Sequence, residues 1–246
     1  MLHFAVDLVL LDIEGTTSPV DFVYRILFPF ARKRMDEFLR ATRNEPTTRD
    51  ACKQLARDID RADLVEQIDS SIDQALPELT KEALALMDVD SKTTGLKEIQ
   101  GLIWKQGYTS GALRSQLFSD VPAALQRWTD DGLKVAIYSS GSSTAQEVFF
   151  QHTEFGDLTK FLVGFYDTTF GAKRETESYK AIARHLQIDT EHILFVSDVG
   201  AELQAARQSG MSTVLCIRSG YKPNEGDDQF APVNSFDEMR IRKVTT

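Results

Sequence analysis

Short runs of β-branched and large apolar residues recur along the chain at 5–11, 133–139, 161–167, 193–197 and 213–217. After the first run they alternate with stretches in which apolar residues return every three or four positions, the period of a helix with one buried face. "SDVPAALQRWTDDG" is one such stretch, with Asp120 placed to cap it and Gly132 to stop it. "SSTAQEVFFQHT", "ETESYKAIARHL" and "AELQAARQSG", the last closed by Gly210, are others. Strands and helices in alternation predict an α/β fold, a parallel sheet with helices on both faces.

The rhythm breaks between residue 18 and about residue 116. There "FVYRILFPFARKRMDEFLRAT", "TRDACKQLARDIDRADLVEQIDSSIDQAL", "KEALALMDV" and "TGLKEIQGLIWKQGY" carry helical periodicity and almost no strand signal. This block reads as a helical insertion placed directly after the first strand, giving an α/β core of 1–17 and 117–246 and a helical domain of 18–116. Its charges, such as Arg32, Lys33, Arg34, Asp36 and Glu37, fit the solvated faces of amphipathic helices. The tail "RSGYKPNEGDDQFAPVNSFDEM" is rich in turn formers and predicts an ordered loop followed by a short last helix or a frayed end.

Composition narrows the function classes. The 246 residues hold 28 Lys plus Arg against 37 Asp plus Glu, a net charge of -9, which disfavours nucleic-acid binding by general charge attraction. No apolar run reaches the roughly twenty residues of a membrane helix, and "MLHFAVDLVLLD" lacks a basic flank and a small-residue cleavage site, so a cytoplasmic protein without membrane contact is expected. Cys52 and Cys216 are far apart and without a CxxC partner, which fits two reduced thiols.

The chemistry-bearing residues fall where strands end, the place where an open parallel sheet collects ligands. The first strand ends in Asp12, with Glu14 two residues on; the second ends in Ser139 and Ser140; Lys173 follows the third; Asp198 follows the fourth. Singly, each is an ordinary turn former, helix cap or surface group. Together they suit phosphoryl transfer, which asks for positioning and for charge around an anionic transition state. Asp12 would attack phosphorus, Asp12 and Asp198 would hold Mg²⁺, and Lys173 would add a second positive charge. Ser139, Ser140 and Gly141 would hold phosphate oxygens, and Glu14 would shuttle protons.

"DIEGTT", "YSSGS", "GAK" and "SDVGAE" resemble the four motifs of the haloacid dehalogenase-like hydrolases. The longer segments "DIEGTTSPVDFVYRILFPFA", "GLIWKQGYTSGALRSQLFSDVPAAL" and "FYDTTFGAKRETESY" resemble the enolase-phosphatase branch of that family. The resemblance implies a Rossmann-like core with the insertion as a cap, Mg²⁺ as cofactor, and a monomer acting on a small phosphorylated metabolite. Asp12 matches the nucleophile and a metal ligand, Glu14 the second acid, whose carbonyl also reaches the metal, and Asp198 the distal ligand. Ser139 and Ser140 match the substrate-phosphate contact, Lys173 the motif lysine, and Glu202 a further acid. The activity implied converts 2,3-diketo-5-methylthiopentyl-1-phosphate, through its enol phosphate, to 1,2-dihydroxy-3-keto-5-methylthiopentene (acireductone) and phosphate in methionine salvage. Glu14 is one candidate for the enolisation base and a residue of the insertion is another. Phe22, Tyr24 and Trp104 are candidates to touch the methylthio chain, and Thr16, Thr17 and Ser18 a candidate hinge. One departure is "RSGYKPNEG" where the family carries "RPGN". A phosphatase of the same family with another substrate, a dehalogenase and a non-catalytic phosphate-binding module are the alternatives, and magnesium dependence separates the dehalogenase from the rest.

Overall fold

The computed structural model describes residues 1–244. In chain order the elements are β1 (Leu2–Ala5), β2 (Leu8–Leu11), the single turn α1 (Val20–Phe22), α2 (Phe28–Thr42), α3 (Pro46–Asp58), α4 (Ala62–Asp88), α5 (Thr94–Thr109), α6 (Val121–Asp130), β3 (Lys134–Tyr138), α7 (Ser143–Gln151), β4 (Gly164–Tyr166), α8 (Thr176–Leu186), β5 (Ile193–Ser197), α9 (Gly200–Gln208), β6 (Ser212–Cys216), β7 (Pro232–Val233) and β8 (Met239–Arg242). They form two compact units, one made of Met1–Phe22 with the chain from Arg114 onward, the other of Val23–Leu113.

The first unit is an α/β layer structure. Six of its strands lie parallel in the order β4-β3-β2-β5-β6-β7. All four residues of β2, "LVLL", are buried, as a strand covered by helices on both faces requires. From β2 the chain builds outward through β3 and β4, then returns to β5 on the opposite side of β2, so β2 lies at the switch point of the sheet. Leu11 is level with both Ile137 and Val196, which brings Asp12, Ser139 and Asp198 out from three adjacent strand tips. Beneath them Tyr138, Tyr179, Ile182, Phe195 and Leu203 form a fully buried apolar cluster.

Several expectations are corrected here. The first apolar run serves two sheets: the Val6 amide still bonds the Arg242 carbonyl of the β1–β8 ribbon, whereas the Asp7 amide bonds His192 beside β5. The loop of the C-terminal segment does lead to a short last helix, the 3₁₀ turn Phe236–Glu238, but a strand follows it, because in "MRIR" Met239 and Ile241 are buried while Arg240 and Arg242 are exposed, a period of two. The run at 161–167 shrinks to Gly164–Tyr166, since Phe161 closes a 3₁₀ turn and Asp167 caps the next one. Asp120 does not cap α6; its carboxylate is engaged by Arg218, the Ser235 hydroxyl and the Phe236 amide. Gly132 and Gly210 do end their helices, at φ +78° and +104°, a backbone glycine adopts freely.

The second unit is all helical. Met35, Leu39, Leu55, Ile68, Leu76, Leu79 and Ile99 from α2–α5 meet in its core. Gly95 lets α5 approach α3, since a Cβ there would lie 2.1 Å from the Leu55 nitrogen. α4 breaks at Ser71 (φ -160°, ψ 95°) into two helices, the second of which runs through Pro77 and joins the stretches read on either side of it; Arg49 donates to the nearby Ile68 carbonyl. The unit boundaries fall after Phe22 and before Arg114, not at 17 and 117. Residues 18–22 belong to the α/β unit because Ser18 donates to the Gln116 carbonyl (2.8 Å) and the buried Phe22 ring packs edge-on against Phe149 (5.9 Å).

Candidate active site

Asp12 leaves β2 with its amide bonded to the Val196 carbonyl, 3.0 Å, and its side chain buried. The chain then turns tightly. The Ile13 carbonyl accepts the amides of Thr16, Thr17 and Ser18, and the Thr17 hydroxyl donates to the Asp12 carbonyl at 3.1 Å. Gly15 has φ +76°, and a Cβ there would meet Asp198 Oδ2 at 2.1 Å, so both conformation and space demand glycine. Thr16, Thr17 and Ser18 are buried and bonded within this unit, which is not the environment of a hinge.

Lys173 reaches Asp12 from the loop after β4. Its Nζ donates to Asp12 Oδ1 at 2.5 Å and pairs with Glu202 Oε2 at 2.7 Å. Hydroxyls fix the backbone that carries it: Tyr138 donates to the Gly171 carbonyl (2.9 Å), Ser178 to Ala172 (2.8 Å) and Tyr179 to Lys173 (2.7 Å). Burial pushes both tyrosines up from their ordinary pKa, so they remain donors. Ser197 lies between the acids, its Oγ 3.1 Å from Glu202 Oε2 and 3.3 Å from Asp12 Oδ2.

Across the site Ser139 donates to Glu14 Oε2 at 3.4 Å, and its Oγ accepts the Gly141 amide. Ser139 is buried, whereas Ser140 is exposed. The turn leads into α7, whose Ser143 amide bonds Asp167 Oδ2 at 2.8 Å and whose Ala145 amide bonds Ser142 Oγ. Gln146, in the first turn of α7, donates back to carbonyls of the turn and of β4.

The electrostatics are lopsided. Among the described residues, Asp12, Glu14, Asp198 and Glu202 face a single ammonium, that of Lys173. Burial, then the charge of Asp12, holds Glu14 above the usual carboxylate range. Burial, with Asp12 and Glu202, pushes Asp198 up to about 7. Burial and Asp12 also raise Glu202 against the pull of Lys173. Burial alone would lower the Lys173 ammonium, but Asp12 and Glu202 outweigh it and raise it. Excess buried carboxylate is what a cation relieves, and Asp198 Oδ1 is buried without a hydrogen-bond partner among the described residues. No group of three or more His, Cys, Asp and Glu side chains is arranged to hold a metal among the described residues. Two carboxylates and a carbonyl, with the remaining positions left to water and phosphate oxygens, suit Mg²⁺ better than an ion that needs an all-protein cage.

The sequence-predicted residues thus converge. Asp12, Glu14, Ser139, Lys173, Asp198 and Glu202 meet at the strand tips, while Ser140 contributes backbone and an exposed side chain. Phe22 does not join them; it is core. Tyr24 and Trp104 lie in the helical unit on either side of Phe28, with Tyr24 exposed and Trp104 donating to the Leu27 carbonyl at 2.8 Å. The supporting groups Tyr138, Ser178, Tyr179, Gln146 and Ser197 were missed, since in sequence they read as members of amphipathic elements. Arg218, in the loop that departs from the family pattern, is buried and donates Nε to the Thr16 carbonyl (3.1 Å) and Nη1 to both Asp120 oxygens (3.0 and 2.9 Å).

Residues 6–210 match the family model "haloacid dehalogenase-like hydrolase". The chain is 44% identical to the enolase-phosphatase E1 of Synechococcus elongatus over 97% of this chain and 99% of that one. It is 42% identical to a probable bifunctional methylthioribulose-1-phosphate dehydratase/enolase-phosphatase E1 of Physcomitrium patens, over 93% of this chain and 47% of that longer protein. The crystal structure of the UTR4 protein of Saccharomyces cerevisiae superposes with a TM-score of 0.76 at 30% identity, covering 94% of this chain and 99% of that one.

Proposed function

This chain belongs to the haloacid dehalogenase-like hydrolase family, and from that premise we propose that it is an enolase-phosphatase producing acireductone in methionine salvage. The substrate of that reaction is 2,3-diketo-5-methylthiopentyl-1-phosphate, a small phosphorylated metabolite. The observation that carries the mechanism is the convergence of Lys173 on Asp12 at 2.5 Å, with Glu14 held on the far side by Ser139.

Enolisation comes first. Glu14, as carboxylate, takes the carbon-bound proton while Lys173 faces the oxygen that becomes the enolate. Glu14 hands that proton to the enolate oxygen, giving the enol phosphate, and takes up another from water, the protonated form its buried setting favours. Asp12 Oδ next attacks phosphorus, forming an acyl phosphate as the phosphorus–oxygen ester bond breaks, and Glu14 gives its proton to the departing oxygen. Water then attacks the acyl phosphate, Glu14 takes its proton, phosphate leaves with Asp12 restored, and Glu14 releases that proton to water to recover its carboxylate. Ser139, with the Ser140 amide of the same turn, holds the phosphoryl oxygens throughout.

Asp12, Asp198 and the Glu14 carbonyl would hold Mg²⁺, which when bound offsets the repulsion between Asp12 and a phosphate dianion and polarises the oxygens that gain charge. The helical unit, inserted in the chain directly after the Asp12 turn, serves in this reading as a cap that excludes water and selects the methylthio chain. The test supplies the diketone phosphate with Mg²⁺ and follows the ultraviolet absorbance of the enol together with inorganic phosphate. Both signals support the assignment. Phosphate release from generic esters, without an enol signal on the diketone, would reduce it to a phosphatase of another substrate.

A further inference from the structure

We propose that Gln146 is a positioning residue that shapes the phosphate-holding turn through its side-chain amide; the inference rests on the assignment of Ser139–Gly141 to the substrate phosphate. Gln146 is 2% exposed. Its Nε2 donates to the Gly141 carbonyl at 2.7 Å and to the Tyr166 carbonyl at 2.8 Å, with the Ser139 carbonyl farther off at 3.4 Å. A primary amide has two N–H donors, and the two short contacts use both. One contact reaches forward to the end of the turn and the other to the tip of β4, whose Tyr166 carbonyl also accepts the Ser139 amide at 3.1 Å. The turn is thereby tied to the sheet at both of its ends.

The carbonyl end of the same side chain points to a role beyond filling space. Gln146 Oε1 is buried with no hydrogen-bond partner among the described residues. An orphaned buried acceptor is destabilising, so a position selected for packing alone would favour an apolar side chain of the same length. The amide is instead retained for its two donors. By drawing the Gly141 carbonyl to itself, Gln146 keeps that acceptor bonded and away from the phosphate. The Ser140 and Ser142 amides, for which no acceptor is found among the described residues, remain to serve an anion.

The experiment compares wild type with Gln146→Met, which keeps volume and removes both donors, and with Gln146→Glu, which keeps shape and loses both donors when ionised. Inorganic phosphate, as competitive inhibitor and in calorimetry with Mg²⁺ present, is the probe, and circular dichroism verifies folding at the assay temperature. Gln146→Met is expected to raise the phosphate inhibition constant and KM together by about ten-fold, equivalent to about 1.4 kcal/mol, with a smaller change in kcat. For Gln146→Glu the deficit relative to wild type at the same pH should shrink in acid, where the protonated carboxyl regains one donor. That pH profile is a signature a purely structural role would not give, and it carries the test should the Met variant fail to fold. A folded variant that binds phosphate as wild type does would overturn the inference. Wild type that binds no phosphate would overturn the site assignment itself and the inference with it.

Discussion

Gly15→Ala places one methyl group where the structure has none to spare. At φ +76° an alanine lies in the left-handed region, at a cost of roughly 1–2 kcal/mol. For a chain of this size that lowers the melting temperature by about 2–8 °C. The larger effect is local. The new Cβ would stand 2.1 Å from Asp198 Oδ2, whereas ordinary contact begins at 3.4 Å, so the carboxylate must withdraw by about 1.3 Å or the turn must open by as much. Metal–oxygen distances tolerate only about 0.2 Å, so Asp198 would no longer serve as a ligand in place. The Mg²⁺ concentration for half-maximal activity should therefore rise about 10- to 100-fold, the range seen when a ligand is mis-oriented. The assay titrates Mg²⁺ against phosphate release beside a thermal melt in chelator. A variant that loses the expected few degrees yet keeps the wild-type Mg²⁺ half-saturation would refute the placement of Asp198 at the metal.

Other substitutions probe the support around the site. Tyr179→Phe strips the donor from the Lys173 carbonyl, leaving a buried acceptor at a cost of about 1–3 kcal/mol; turnover should fall more than phosphate affinity, and an unchanged kcat would show that the hydroxyls do not position Lys173. Arg218→Met leaves Asp120 buried and unpaired and should destabilise by about 3–5 kcal/mol; adding Asp120→Asn should restore part of the melting temperature, and strict additivity would count against the pair. Burial pushes the Cys52 and Cys216 thiols up to about 12, so both stay protonated and unreactive well above neutral pH. Neither should be labelled by a thiol-disulfide reagent at pH 8 until the protein is unfolded, and rapid native labelling would contradict their burial.

The strand tips were legible in the sequence because each bears a distinct signal: an apolar run that stops at Asp12, at Ser139 or at Asp198. That the sheet is parallel followed from alternation alone. The positions that steady these tips left no such mark. Tyr138 and Tyr179 present a ring to the core and a hydroxyl to the Lys173 loop, and a hydropathy pattern registers only the ring. Gln146 falls on the face of α7 that an amphipathic reading leaves unremarked. Asp120 carried a familiar capping signal, yet a buried guanidinium nearly a hundred residues later competes for it and wins. The β1–β8 ribbon joins the two ends of the chain, a pairing that local pattern cannot specify. In "MRIR" the period of two was present but spans only four residues, too few to outweigh the turn formers before it.

The covalent step is the centre of the account, and rapid acid quench during turnover of the diketone phosphate, followed by mass spectrometry of the peptide bearing Asp12, tests it most directly. The expected result is one phosphoryl group on Asp12 in wild type and none in Asp12→Asn, which should fold and release no phosphate. Turnover in Asp12→Asn, or a phosphoryl group found on another residue, would contradict it.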